Sequence, residues 1–314
     1  MRLFFRKGFL FYAELNLRLF FFLLANRNAF FYANDLDTLP ANFLASKIFH
    51  RPLLYDSHEY FTEVPELVNR KRVQAVWLQI ERFIFPKLKH AITVCDSIAE
   101  IYRDKYQVPV SVVRNLPMQK KEDSVSRSYN LDSKVVLYQG ALNYGRGLEL
   151  LIEAIALSSN LECWIVGSGD LEDALKNKVR EKGLENRIRF LGQVPLEALS
   201  SITRQAALGV SLEENIGLNY YFALPNKLFD YIQAGIPVLC SDLPEMTKIV
   251  SEWKVGWTLK DRSPENLAKQ LESILQDPSE RLQKHEACIE AAKELVWENE
   301  VEILLQTINQ QLPQ

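Results

Sequence analysis

Ten short, almost uninterrupted apolar runs recur along the 314-residue chain, separated by stretches of helix length. They are FFYAND, PLLYDS, HAITVC and VSVVRN, then KVVLYQG, LECWIVG, IRFLGQV, AALGVSL, IPVLCSD and VGWTLK. A strand with one wet face alternates apolar and polar residues, whereas a run that is apolar throughout has to be covered on both faces. Parallel sheets flanked by crossover helices meet that demand, so the chain is expected to be α/β. Between Met118 and Ser133 the run QKKEDSVSRSYNLDS is polar and aperiodic, which marks a linker and divides the chain into domains at 1–118 and 134–314. An apolar content of 47% is ample for two cores. Six strands after the linker make a complete doubly wound domain, and the segments from Pro264 onward read as successive amphipathic helices, the last long enough to reach back to the first domain.

The net charge of −3 hides an asymmetry, because residues 1–90 carry 13 Lys and Arg against 8 Asp and Glu. This basic part suits an anionic surface. Within it, NRKRVQAVWLQIERFIFPKLKH at 69–90 sets Trp77, Phe83 and Phe85 among cations, either as a core-facing aromatic stripe or as a helix near anionic lipid head groups. A nucleic-acid partner is disfavoured by the overall negative charge. FLFYAELNLRLFFFLLANRNAFFYA is interrupted by Glu14, Arg18, Arg27 and three Asn and has no small-residue cleavage site, so an amphipathic helix running into a strand is expected, packed on a sheet or lying at a membrane surface. Cys95, Cys163, Cys240 and Cys288 lack CxxC spacing and read as reduced core thiols of a cytoplasmic protein. The four His are dispersed, with no Cys or carboxylate at ligand spacing, so no metal is expected. Serine-nucleophile signatures and a GK(S/T) phosphate loop are also absent.

Three strand ends carry chemistry. In YQGALNYGRGLELLIEA a strand ends at Gly140 and a glycine-containing turn with Arg146 and Gly147 opens a helix, offering N–H groups, a helix dipole and a guanidinium to an anion. An ordinary β-α turn has the same pattern. WIVGSGDLEDAL repeats the grammar with Gly169, and Asp170 there can cap the following helix. The stretch SLEENIGLNYYFALPNKLFDYIQAGIPVLCSD places carboxylates, a prolyl turn and a helix between two apolar strands, and reads as a nucleotide-sugar site at the carboxyl end of a parallel sheet.

As an ordered set over about residues 134–260, these motifs resemble the carboxy-terminal domain of bacterial retaining GT-B glycosyltransferases of family 4. The resemblance implies two doubly wound Rossmann-type domains facing a cleft. It puts Arg146 at the family's phosphate-binding Lys, with the Gly140 turn beneath the diphosphate and Asp230 at the carboxylate that bonds the ribose. Ala141 stands where the family has Arg, and Lys227 is the neighbouring cation to replace it. Eight positions before Asp230, where the family has its first glutamate, this chain has Phe222; the role falls to Glu214, beyond an enlarged loop, with Glu213 and Glu214 both otherwise readable as solvated loop acids.

ANDLDTLPA and YDSHEYFTEVPEL resemble the amino-terminal half of the same family, where His58 would bond the donor sugar or steady the departing phosphate; capping a loop with Glu59 is the plainer role. Asp35 and Asp37 follow the first strand in the same way, and Asp37 and Thr38 can simply begin a helix. The amino-terminal domain is short by a β-α-β portion relative to the family, which implies an upstream start or a trimmed domain and an uncovered position beside FFYAND. The resemblance implies a metal-independent glycosyltransferase of cell-surface polysaccharide or glycan biosynthesis, without a cofactor. Its donor would be a nucleotide-diphosphate sugar and its acceptor a saccharide or a lipid-linked molecule, met at the inner face of the cytoplasmic membrane. A non-catalytic nucleotide-sugar-binding subunit and a sugar-nucleotide epimerase are the alternatives.

Overall fold

The computed structural model describes residues 3–119 and 129–312 and places a strand in each of the ten apolar runs. Residues 120–128 of the expected linker lie outside the described residues. All strand pairings are parallel. The chain divides into two compact units, the first comprising Met1–Asn115, Gly217–Phe222 and Asn299–Gln314, the second Leu116–Ile216 and Ala223–Glu298. Two segments from the expected second domain are therefore grouped with the first unit. Specific bonds hold them there: Tyr60 N–H donates to Asn219 Oδ1 at 2.9 Å, and Arg114 meets Glu300 at 2.9 Å.

Unit 1 contains β1 (Phe31–Asn34), β2 (Leu53–Ser57), β3 (Ala91–Thr93) and β4 (Val110–Val112) in sequential order, with β1 at the edge. The helix Gly8–Ala25 lies against the helix Asp35–Phe49 and not on a sheet. Asn16 is the reason that contact is specific. Pro40 interrupts the second helix, and the Asn16 amide inserts one residue further along: it accepts from Ala41 N–H at 3.0 Å and donates to the Asp37 carbonyl at 2.7 Å. The polar residue that breaks the apolar run in sequence thus closes a gap in the neighbouring backbone ladder. Only Leu23 of the first helix is buried, and by length and composition that helix is able to cross a membrane. In the 69–90 region Trp77 and Phe85 are buried, while Phe83 is exposed.

Unit 2 contains β5 (Val135–Gln139), β6 (Glu162–Val166), β7 (Ile188–Gly192), β8 (Leu208–Ser211), β9 (Val238–Ser241) and β10 (Gly256–Leu259), ordered β10-β9-β8-β5-β6-β7. Successive β5 side chains serve different cores: Val136 and Tyr138 join one apolar cluster, Val135 and Leu137 the other. That is why the strand is apolar at every position. The order reverses between β5 and β8, so chains leaving the carboxyl ends of these two strands part and leave a crevice. Unit 1 has no such reversal among its described strands. All four cysteines are buried and outside any disulfide, with burial pushing the Cys163 and Cys240 thiols up to about 12.

Candidate active site

At the reversal in unit 2, β5 and β8 pair only through Val136–Leu208 and Leu137–Gly209 before diverging. Tyr231 holds the divergence open. Its buried hydroxyl accepts from Gln139 N–H at 3.0 Å and lies within bonding distance of the Leu137 and Val210 carbonyls, so it bonds both strands where they no longer bond each other. A Cβ at Gly209 would strike the Tyr231 ring at 2.5 Å, which explains the glycine within an otherwise apolar strand.

Two glycines set how closely the loops above the strands approach. Gly147 has φ +71°, and a Cβ there would stand 2.2 Å from the Leu212 carbonyl oxygen. The helix Leu148–Leu157 therefore starts against the end of β8, which brings Arg146 to 3.6 Å from Glu213. Gly167, φ +131°, touches Gly140 so closely that a Cβ would lie 1.9 Å from its carbonyl oxygen. Gly169 sits against Asn143, whose Oδ1 accepts from Asp170 N–H at 3.2 Å. Asp170 does not cap the next helix, which starts at Glu172 with Leu171 as its N-cap.

Lys227 and Asp230 lie one turn apart on the helix Asn226–Gln233 and share a face. Lys227 is only 8% exposed; its Nζ stands 4.1 Å from the Tyr138 ring centroid, and a Cβ on Gly140 would meet its Cε at 3.4 Å. The cation expected to replace the one missing at Ala141 is therefore located at the Gly140 turn. Half-buried Asp230 accepts from Gln139 Nε2 at 3.1 Å, and Thr203 Oγ1 donates to Gln139 Oε1 at 2.9 Å, which fixes the amide orientation.

The two neighbouring glutamates part company. Glu214 is half-buried, and its backbone N–H donates to the Gly145 carbonyl at 2.9 Å, pinning the turn that carries Arg146. Glu213, readable in sequence as a solvated acid, is fully buried. Lys227 Nζ lies 2.8 Å from its Oε1, and Ser211 Oγ donates to Oε2 at 2.7 Å. Burial pushes the Glu213 carboxyl up, but the charge and hydrogen bond of Lys227, the Ser211 hydroxyl and the Arg146 charge outweigh it and hold the group below the usual carboxylate range. Its backbone carbonyl and that of Leu212 accept from Arg262, which also bonds Ser241. Ser211, Gln139, Tyr231 and Arg262 carried no sequence signal of this role. Glu213 was readable only as a loop acid beside Glu214, whereas the structure buries it fully.

Unit 1 holds a second polar group, at the carboxyl ends of β1 and β2. His58 Nε2 lies 3.1 Å from Asp56 Oδ2, to which Tyr32 O–H donates at 2.5 Å. The hydrogen bond to Asp56 raises the His58 pKa despite partial desolvation, aided by the nearby carboxylates. Asp35 Oδ1 accepts from His58 N–H at 3.1 Å, and Asp35 itself has φ +57° in a non-glycine backbone. Glu59 beside it bridges to a second loop, accepting from Asn219 Nδ2 at 3.2 Å. Among the described residues no group of three or more His, Cys, Asp or Glu has an arrangement able to hold a metal ion.

A parallel sheet whose strand order reverses beneath a glycine turn, two cations and a buried carboxylate is the arrangement of a doubly wound, Rossmann-type domain. Residues 119–295 match the family described as glycosyl transferases group 1, more than half of the chain, and the protein belongs to that family. The D-inositol 3-phosphate glycosyltransferase of Corynebacterium glutamicum is 28% identical over 179 residues, 53% of this chain and 41% of that protein. The chain thus spans about two fifths of the length of the curated relatives it matches. Among solved structures, sucrose-phosphate synthase from Thermosynechococcus elongatus is similar with a TM-score of 0.76 and 19% identity, covering 95% of this chain and 79% of that one. Anabaena HepE in complex with UDP follows at 0.73 and 17%, covering 93% and 82%. The fold is that of GT-B glycosyltransferases, with two Rossmann-like parallel-sheet domains.

Proposed function

We propose that the protein transfers a sugar from a nucleotide-diphosphate sugar to a saccharide or lipid-linked acceptor, with retention and without a metal ion. The observation that carries this reading is the placement of Lys227 at the Gly140 turn, with Arg146 and Glu213 beside it. Lys227 and Arg146 take the diphosphate oxygens and offset the charge that builds on the leaving group. Asp230, oriented by Gln139, accepts from the ribose hydroxyls. A carboxylate at the end of β8 holds the sugar, with Glu213 at the buried centre and Glu214 at the rim. The HepE structure, solved with UDP, supports a uridine diphosphate donor as the first to test.

Thermal-shift titration with UDP-, GDP- and ADP-sugars reads donor binding directly, because a ligand that binds only the folded state stabilises it. Arg146→Ala and Lys227→Ala should each weaken the stabilising donor by about tenfold or more, as expected for loss of a charge-assisted hydrogen bond. Unchanged affinity in both variants would remove the phosphate assignment. His58→Ala should lower turnover while leaving donor affinity unchanged; equal turnover would return His58 to a purely structural role. Donor binding without transfer or hydrolysis would support the binding-subunit alternative instead. The exposed apolar helix Gly8–Ala25 supports an acceptor met at a membrane.

A further inference from the structure

The amino-terminal ends of the unit 1 strands, opposite the end that carries His58, hold an open cavity of about 390 Å³. Its walls include Lys47, His50, Arg51, Lys87, Lys89 and Gln311, and among the described residues no acidic one lines it. None of the ion pairs formed among the described residues involves Lys47, Lys87 or Lys89. Arg51 is held in place by donating to the Arg27 carbonyl at 3.1 Å and to Asn28 Oδ1 at 3.0 Å. Lys87 Nζ is set 3.0 Å from the centroid of the Phe83 ring. Exposed lysines alone would need no explanation, since solvation accounts for them.

Gln311 is different. It is 6% exposed, and neither its Nε2 nor its Oε1 has a hydrogen-bond partner. A buried amide lacking both a donor and an acceptor contact points to a missing partner able to supply each. The cationic side chains lining the cavity suit an anion in that place. A phosphate monoester in its monoanionic form meets all three demands, with bare oxygens that accept from Nε2 and a P–OH that donates to Oε1. Phe43, Leu53 and Leu88 line the same cavity and give the organic part of an ester an apolar wall.

We propose that this cavity is a binding site for a phosphate monoester group, carried by a lipid or by a soluble ester, separate from the diphosphate site of unit 2. The test is calorimetric titration of the full chain with inorganic phosphate and with sulfate at constant ionic strength. Wild type is compared with Lys47→Glu/Lys89→Glu and with Gln311→Met. Charge reversal should weaken the phosphate affinity by about tenfold or more, and Gln311→Met should abolish the preference for phosphate over sulfate, which has no proton to donate. The substitutions lie outside the unit 2 site, and a cooperative thermal unfolding transition like that of wild type confirms that each variant has folded. Cosedimentation with phosphatidylcholine vesicles containing phosphatidic acid, against the same charge of phosphatidylserine, separates the sources. A lysine-dependent preference for phosphatidic acid identifies a lipid, whereas binding of glycerol 3-phosphate without that preference identifies a soluble ester. Equal phosphate affinity in all three proteins, or no preference over sulfate in wild type, would overturn the proposal.

Discussion

Unit 2 and unit 1 each set a carboxylate against a base at the carboxyl ends of parallel strands, and they do so at opposite extremes of solvation. Glu213 is fully buried with Lys227, while the His58 side chain is 41% exposed beside Asp56. The buried pair is fixed by packing: Gly147 lets a helix start against β8, and the helix Asn226–Gln233 delivers Lys227. The open pair is solvent-accessible, and Asp56 raises the His58 pKa above its ordinary value. Charge in unit 2 is thus built into the fold, and charge in unit 1 is adjustable by pH. Each experiment that follows either breaks one side of this contrast or measures it.

The largest effect should come from Lys227→Met, which leaves a fully buried carboxylate with only Ser211 and the more distant Arg146. Stranding a buried charge typically costs about 3 kcal/mol or more, so urea unfolding at neutral pH should show a loss of that order. Adding Glu213→Gln to that variant should recover part of it. A loss no greater than that of an ordinary surface substitution would mean that the pair is better hydrated than its burial indicates.

Next in size is the acid limb of stability. Because the Glu213 carboxyl is held below its ordinary value of 4.5, its contribution is present above that pH and disappears as pH falls through the lowered folded value. Glu213→Gln should flatten this limb in pH-dependent unfolding. An unaltered limb would place the acid sensitivity in other carboxylates.

His58 should show a smaller effect with the opposite sign. Its pKa is raised from 6.5, so its stabilising contribution is complete below that pH and is lost as pH rises through the folded value. Exposure keeps the stability change slight, and the informative measurement is NMR titration of the imidazole. A midpoint above 6.5 is expected in wild type and should drop in Asp56→Asn. The smallest change belongs to Tyr32→Phe, which removes the phenol donating to Asp56 and should raise the His58 midpoint slightly by leaving the carboxylate charge less compensated. A fall in that variant would show that Tyr32 orients Asp56 and does not merely share its charge.

Much of this organisation is legible before folding. The apolar runs locate all ten strands, because burial on both faces removes the polar alternation. Gly140, Arg146, Gly147, Gly169, Lys227 and Asp230 all fall at the carboxyl ends of unit 2 strands or on the helix packed beside them, where their spacing relative to those strands put them. Other features left no trace. Tyr231 reads as one more apolar helix residue, yet its hydroxyl bonds two strands at once. Asn16 reads as an interruption, and its use depends on a proline that follows much later in the chain.

The sequence by itself determined the strand–helix alternation and the residue types available at each strand end, since hydrophobic period and turn chemistry act over a few neighbouring residues. Which of two adjacent glutamates is buried, which cation meets it, and which segments return to unit 1 were decided only in the tertiary structure. Those outcomes depend on contacts between residues far apart in the chain. A local pattern carries no information about the direction from which such partners arrive.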